Sequence, residues 1–165
     1  MEPSESQSSS NIGGDLAKDN KFKHRGQIVL RMTNFKEFSE GCGPKYVLSD
    51  PVEFINGLPW RIKIKRTGKG THIGFFVLCD GDKSDAVWTC HATFLCKILS
   101  CQKSGECFGQ LKGRHVFNAL EFNRGWPRFI KFDELMDPTK GLYDEKADAV
   151  TFKVELITKK PIGMW

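Results

Sequence analysis

The segment Trp60-Arg61-Ile62-Lys63-Ile64-Lys65 alternates apolar and basic residues without a break. A β-strand sends successive side chains to opposite faces, so Trp60, Ile62 and Ile64 share one face and Arg61, Lys63 and Lys65 the other. The same period of two recurs along the chain. Ile28, Leu30 and Met32 alternate with Val29, Arg31 and Thr33. Near the end, Val150, Phe152, Val154 and Leu156 alternate with Thr151, Lys153 and Glu155. Ile73 to Cys79 is apolar on both faces, with Ile73, Phe75, Val77 and Cys79 on one and Phe76 and Leu78 on the other. From about Val87 to Leu99, Cys90, Ala92, Phe94, Cys96 and Ile98 form one face; a strand this long calls for a bend or bulge. A Gly-rich polar connection, Ser100 to Gly113, leads to a short strand at Arg114–Phe117.

Thr67-Gly68-Lys69-Gly70 and Asp80-Gly81-Asp82 supply turn chemistry between these runs. Helical signal is confined to Asp133-Glu134-Leu135-Met136, one turn with Asp133 as N-cap, stopped by Asp137-Pro138. Seven or eight short strands with one helical turn predict an all-β antiparallel sandwich or barrel. A parallel sheet would need crossover helices that the sequence does not offer.

At 165 residues the chain is one domain with a tail. Residues 1–24, with five serines and few apolar groups, read as a disordered Ser-rich tail. The domain is expected over 25–158, followed by a short basic tail at 159–165. No apolar stretch approaches the roughly 20 residues of a membrane helix. The amino terminus lacks the basic and apolar regions of a secretory signal, so a reducing compartment, cytoplasm or nucleus, is expected. The net charge is +5. Residues 1–25 carry four basic and four acidic groups, so the excess lies in the rest of the chain.

None of the six cysteines shows the C-x2-C spacing that wraps a zinc ion. Cys79, Cys90 and Cys96 read as small core residues, and neither a metal nor another cofactor is expected. Cys90 and His91 are adjacent on a strand and point apart, so they cannot form a catalytic pair. No nucleophile elbow, phosphate loop, dinucleotide fingerprint or His-Glu-x-x-His motif is present. An enzyme is therefore not expected. The basic face Arg61, Lys63, Lys65 is the best nucleic-acid candidate. It lacks interleaved aromatics for base stacking, and a solvated outer sheet face is the simpler account.

The aromatics carry more. Trp60 belongs to the core face of its strand. Trp88 fits either core or surface. Asn123-Arg124-Gly125-Trp126-Pro127-Arg128 places Trp126 in a turn between two arginines, either tucked against the core or forming a groove wall. Phe76 sits on the second apolar face of its strand, which must be covered or offered to a partner.

Several of these runs, taken in register, resemble the MATH domain (meprin and TRAF homology). They are Phe54 with Gly57-Leu58-Pro59-Trp60-Arg61-Ile62-Lys63-Ile64, His72-Ile73-Gly74-Phe75-Phe76-Val77-Leu78-Cys79, and Trp88-Thr89-Cys90-His91-Ala92-Thr93-Phe94. His115-Val116-Phe117, Gly125-Trp126, Arg128-Phe129-Ile130-Lys131-Phe132-Asp133-Glu134-Leu135 and the closing strand Val150–Leu156 follow in the same order. The likeness spans nearly all of 27–157 and is strongest to divergent invertebrate members. It implies a seven- or eight-stranded sandwich. It further implies a module that holds a short extended peptide of a partner protein in a shallow groove beside a sheet edge. Phe76, Phe94, His115 and Trp126 would form the groove wall, and Arg124 and Arg128 its polar rim. Relatives often join MATH to BTB, protease or deubiquitinase domains, so a link to ubiquitination is an expectation. The 165 residues leave no room for such partners, and a monomeric free-standing module is expected. A structural domain without a working groove, and a nucleic-acid binder using Arg61, Lys63 and Lys65, are the alternatives.

Overall fold

A computed structural model of the chain describes residues 22–50, 53–84, 87–103 and 107–163. Most of the proposed N-terminal tail, 1–21, and the last two residues lie outside the described residues. The strands are β1 Arg25–Thr33, β2 Tyr46–Leu48, β3 Glu53–Ile55, β4 Leu58–Thr67, β5 His72–Cys79, β6 Thr89–Leu99, β7 Cys107–Asn118, β8 Asn123–Lys131 and β9 Ala149–Thr158. Two short helices, α1 Phe35–Ser39 and α2 Phe132–Leu135, complete the main elements. Among the described residues, no helix is long and apolar enough to cross a membrane.

The strands form an all-β antiparallel sandwich. One sheet has the order β1-β9-β6-β7, and the other runs β2-β4-β5-β8 with β3 also paired to β4. The alternation in the sequence sets the inner faces. Ile28 and Met32 of β1, Phe94 and Cys96 of β6, and Phe152 and Val154 of β9 point inward from the first sheet and are buried. Trp60, Ile62, Ile64, Phe75 and Val77 point inward from the second. The two layers interlock through rings: Trp60 meets Phe117 edge-on at 5.0 Å, and Phe75 meets Phe152 at 5.4 Å. Trp60 Nε1 donates to the Ile55 carbonyl at 3.1 Å, so this buried indole keeps a partner.

Several local expectations are corrected. The polar run 100–113 is not one connection: β7 begins at Cys107, because pairing with β6 from Leu99 back to Thr89 extends the strand far beyond Arg114–Phe117. The expected irregularity of the long strand appears as a register shift between Cys96 and Ile98. Asn123–Arg128 is not a turn; it is the first part of β8, held in the ladder by β5. Asp133 is not the cap of α2 but lies inside its first turn, with Lys131 at the N-cap position and no side-chain cap. A second helix, α1, appears where Phe35 and Phe38 need burial and their spacing fits one helical turn. Phe35 also packs on Phe132 at 5.9 Å, so the two helices plug one end of the sandwich. Residues 159–163 fold back rather than trailing away, with Lys159 and Ile162 bonding to His91 and Thr89 of β6.

Trp88 belongs to the core: it is buried, and its Nε1 donates to the Asp82 carbonyl at 2.7 Å. Cys79, Cys90 and Cys96 are buried as well. Burial pushes the Cys79 and Cys90 thiols up to about 12 and raises that of Cys96. Burial thus favours the protonated thiol over the nucleophilic thiolate at all three.

Candidate functional site

Among the described residues, β7 and β8 are the end strands of their two sheets, each with a ladder partner on one side only. Between them runs an open groove of about 430 Å³. β5 and β6 contribute Phe76 and Phe94, β7 contributes Gly113 and Arg114, and β8 contributes Asn123 through Pro127.

Trp126 is the centre of this groove. It pairs across the ladder with Phe75, which directs its indole toward the space between the sheets. There it meets the Phe94 ring at 5.9 Å and the Phe129 ring at 6.1 Å. Phe94 is buried and forms the floor; Trp126 and Phe76 are half-buried and form the walls.

Two glycines make this geometry possible. Gly113 stands opposite Phe94 in the ladder, and a Cβ there would lie 2.5 Å from the Phe94 ring and 3.1 Å from the Trp126 indole. Gly125 stands opposite Phe76, and a Cβ there would lie 2.1 Å from the Phe75 carbonyl oxygen. Backbone cannot yield as a side chain can, so only glycine fits that approach.

The six residues singled out in the sequence divide. Phe76, Phe94, Arg124 and Trp126 come together at the groove. His115 does not line it. Its ring stacks edge-on against Phe117 at 4.6 Å, and its Nε2 pairs with the Glu121 carbonyl at 3.1 Å. It borders a neighbouring cleft with His91, Thr93 and Lys159. Arg128 is also outside the lining. From Phe75↔Trp126 to Ile73↔Ile130, β8 takes four steps while β5 takes two, so Pro127-Arg128-Phe129 bulges away from the regular ladder. The Thr67 hydroxyl donates to the Pro127 carbonyl and fixes the bulge.

Arg114, Gly113, Asn123 and Pro127 also line the groove and were not singled out beforehand. Nothing in the local sequence distinguishes Arg114 from other strand cations; only the approach of β7 to β8 does.

The basic strand face is partly occupied by its own neighbours. Arg61 Nε lies 3.5 Å from an Asp80 carboxylate oxygen, and Lys63 Nζ sits over the Tyr46 ring at 4.6 Å from its centre. β4 is an interior strand of its sheet, and Lys63 stands opposite the groove residue Phe76 in the ladder.

The two-sheet topology defines an antiparallel β-sandwich with a groove between its end strands. Residues 32–155 match the MATH domain, and the chain belongs to that family. Among its relatives is "Ubiquitin carboxyl-terminal hydrolase 7" of Drosophila melanogaster, 27% identical over 117 residues, or 71% of this chain and 10% of that protein. "BTB and MATH domain-containing protein 38" of Caenorhabditis elegans is 22% identical over 144 residues, covering 84% of this chain and 34% of that protein. "Ubiquitin C-terminal hydrolase 12" of Arabidopsis thaliana is 28% identical over 120 residues, 69% of this chain and 10% of that protein. The chain thus spans about a tenth of the hydrolases and a third of the BTB-containing relative. The MATH domain is a non-catalytic protein-interaction module.

Proposed function

We propose that this chain is a peptide receptor that holds a short extended segment of a partner protein in the groove between β7 and β8. The observation that carries this reading is the half-buried Trp126 on an end strand whose outer edge has no ladder partner among the described residues. An extended peptide can add to such an edge through main-chain bonds while its side chains enter pockets beside it. Pro127 has no N–H to offer, which favours pairing along Asn123 to Trp126. Phe76, Phe94 and Trp126 supply the apolar surface, and Asn123 and Arg124 supply donors.

The chain is proposed to act as a monomer in the cytoplasm or nucleus; all six cysteines are free thiols, which suits a reducing compartment. The names of the ubiquitin hydrolases among its relatives support substrate recognition in a ubiquitin-linked setting. A groove of this size supports micromolar binding, about −8 kcal/mol or weaker. The test is peptide-display selection on the full chain, repeated with Trp126→Ala. A short enriched motif that disappears in the folded variant is expected. No enrichment, or enrichment indifferent to Trp126, overturns the reading.

A further inference from the structure

Two arginines line the groove, one from each sheet: Arg114 on β7, which also borders the neighbouring cleft, and Arg124 on β8. Among the described residues no carboxylate lines it, and Glu121, in the turn joining β7 to β8, is not part of the lining. Some surface cations of the sandwich have an acidic partner. Lys97 and Lys153 share Glu155 at 2.9 and 3.5 Å, Arg61 faces Asp80, and Lys23 pairs with Glu53. Arg114 and Arg124 have no ion-pair partner among the described residues.

From this we infer that the groove selects acidic peptides, in which aspartate or glutamate side chains reach Arg114 and Arg124 while an apolar residue packs on Trp126. This rests on the peptide-receptor reading above and adds the class of ligand. The physical basis is the strength of a charge-assisted contact. A guanidinium donates two parallel N–H bonds to one carboxylate, and such bonds are shorter and stronger than neutral ones. The groove is also flanked by apolar rings, which exclude water from one side of each contact and raise its electrostatic value. A basic peptide would meet two like charges with no carboxylate to offset them, so the same residues reject the opposite class. The two arginines stand on strands of different sheets.

The experiment starts from the displayed peptides selected on the full chain and repeats the selection on the Arg114→Glu/Arg124→Glu double variant. Both arginines are exposed, so the variant retains its fold, checked by circular dichroism. The expected result is enrichment of Asp and Glu at fixed positions in the original protein and of Lys and Arg at those positions in the double variant. One enriched peptide is then synthesised with Asp, Asn or phosphoserine at the selected position and titrated by fluorescence anisotropy. Replacing Asp by Asn is expected to weaken binding about ten-fold, with phosphoserine within about three-fold of Asp.

Enriched peptides with no acidic bias, lost in Trp126→Ala, would overturn the acidic preference and leave the groove in place. Enrichment that ignores Trp126, or no enrichment at all, would overturn the receptor reading together with this inference. Phosphoserine binding more than about ten-fold tighter than Asp would overturn the carboxylate preference and assign the groove to phosphopeptides.

Discussion

Phe94 and Trp126 meet edge to face with ring centres 5.9 Å apart, although Phe94 belongs to the four-stranded sheet and Trp126 to the other. The contact closes the core where β7 and β8 leave the sandwich open. It also gives Trp126 two roles, since one side of the indole packs on the core while the rest lines the groove.

Trp126→Ala is therefore expected to lower stability as well as remove partner binding. Full removal of a buried aromatic costs about 3–5 kcal/mol; for this half-buried ring we expect about 2 kcal/mol, part of it from the lost edge-to-face contact. Urea denaturation measures the change. A difference below about 0.5 kcal/mol, the size of an ordinary surface substitution, would show that the indole is not packed on Phe94.

Gly125→Ala should be more damaging than Gly113→Ala. At Gly125 the added methyl meets the Phe75 carbonyl and the Phe76 Cα, so the β5–β8 ladder itself must part. At Gly113 it meets the rings of Phe94 and Trp126, which can rotate or shift. We expect a loss of about 3 kcal/mol or more for Gly125→Ala and a smaller loss for Gly113→Ala, both read from urea midpoints. The reverse order would contradict the register of β8.

The cysteines offer a check that needs no mutation. Cys42, Cys101 and Cys107 are exposed, whereas Cys79, Cys90 and Cys96 are buried with raised thiol pKa values. A disulfide-exchange reagent at neutral pH should titrate three thiols rapidly in the native protein and all six after denaturation. Rapid reaction of all six in the native state would mean that the inner faces of β5 and β6 are open to solvent.

Asp148 sets an acid limit on the plugged end of the sandwich. Its carboxylate accepts from the Tyr143 hydroxyl at 2.7 Å and from the Lys36 backbone N–H at 2.9 Å, tying the start of β9 to α1. The Tyr143 bond, then the Lys36 bond, hold its pKa below the usual 3.8. A carboxylate with a depressed folded-state pKa stabilises the fold above its unfolded value and loses that contribution as pH falls through the folded one. The stability of the original protein should therefore fall with pH from about 3.8 downward, and Asp148→Asn should flatten that part of the curve. Equal slopes for the two proteins, measured by urea denaturation across this window, would exclude Asp148 as the source.

Much of the fold is legible in the sequence because alternation is local. Trp60, Ile62 and Ile64 had to face one way whatever their neighbours did, and the buried faces of β1, β5, β6 and β9 follow the same rule. The reading failed where pairing overrode local composition. Residues 107–113 carry glycines and polar groups that look like a loop, yet β6 supplies ladder partners to all of them but Gly109 and Gln110. Trp126 looked like a turn residue beside Gly125 and Pro127, yet β5 draws it into a strand, and the extra residues emerge as the bulge that carries Arg128 away.

The site divides the same way. Phe76, Phe94, Arg124 and Trp126 could be singled out from chemistry and family resemblance, because large aromatics next to strand cations are visible in one dimension. Arg114 could not, since its role depends on two end strands from different sheets lying side by side. The sequence by itself determined which faces are apolar, and hence that two sheets must pack. The tertiary structure alone decided which edges stay unpaired and which side chains meet there, because sheet order joins residues far apart in the chain and no local period encodes it.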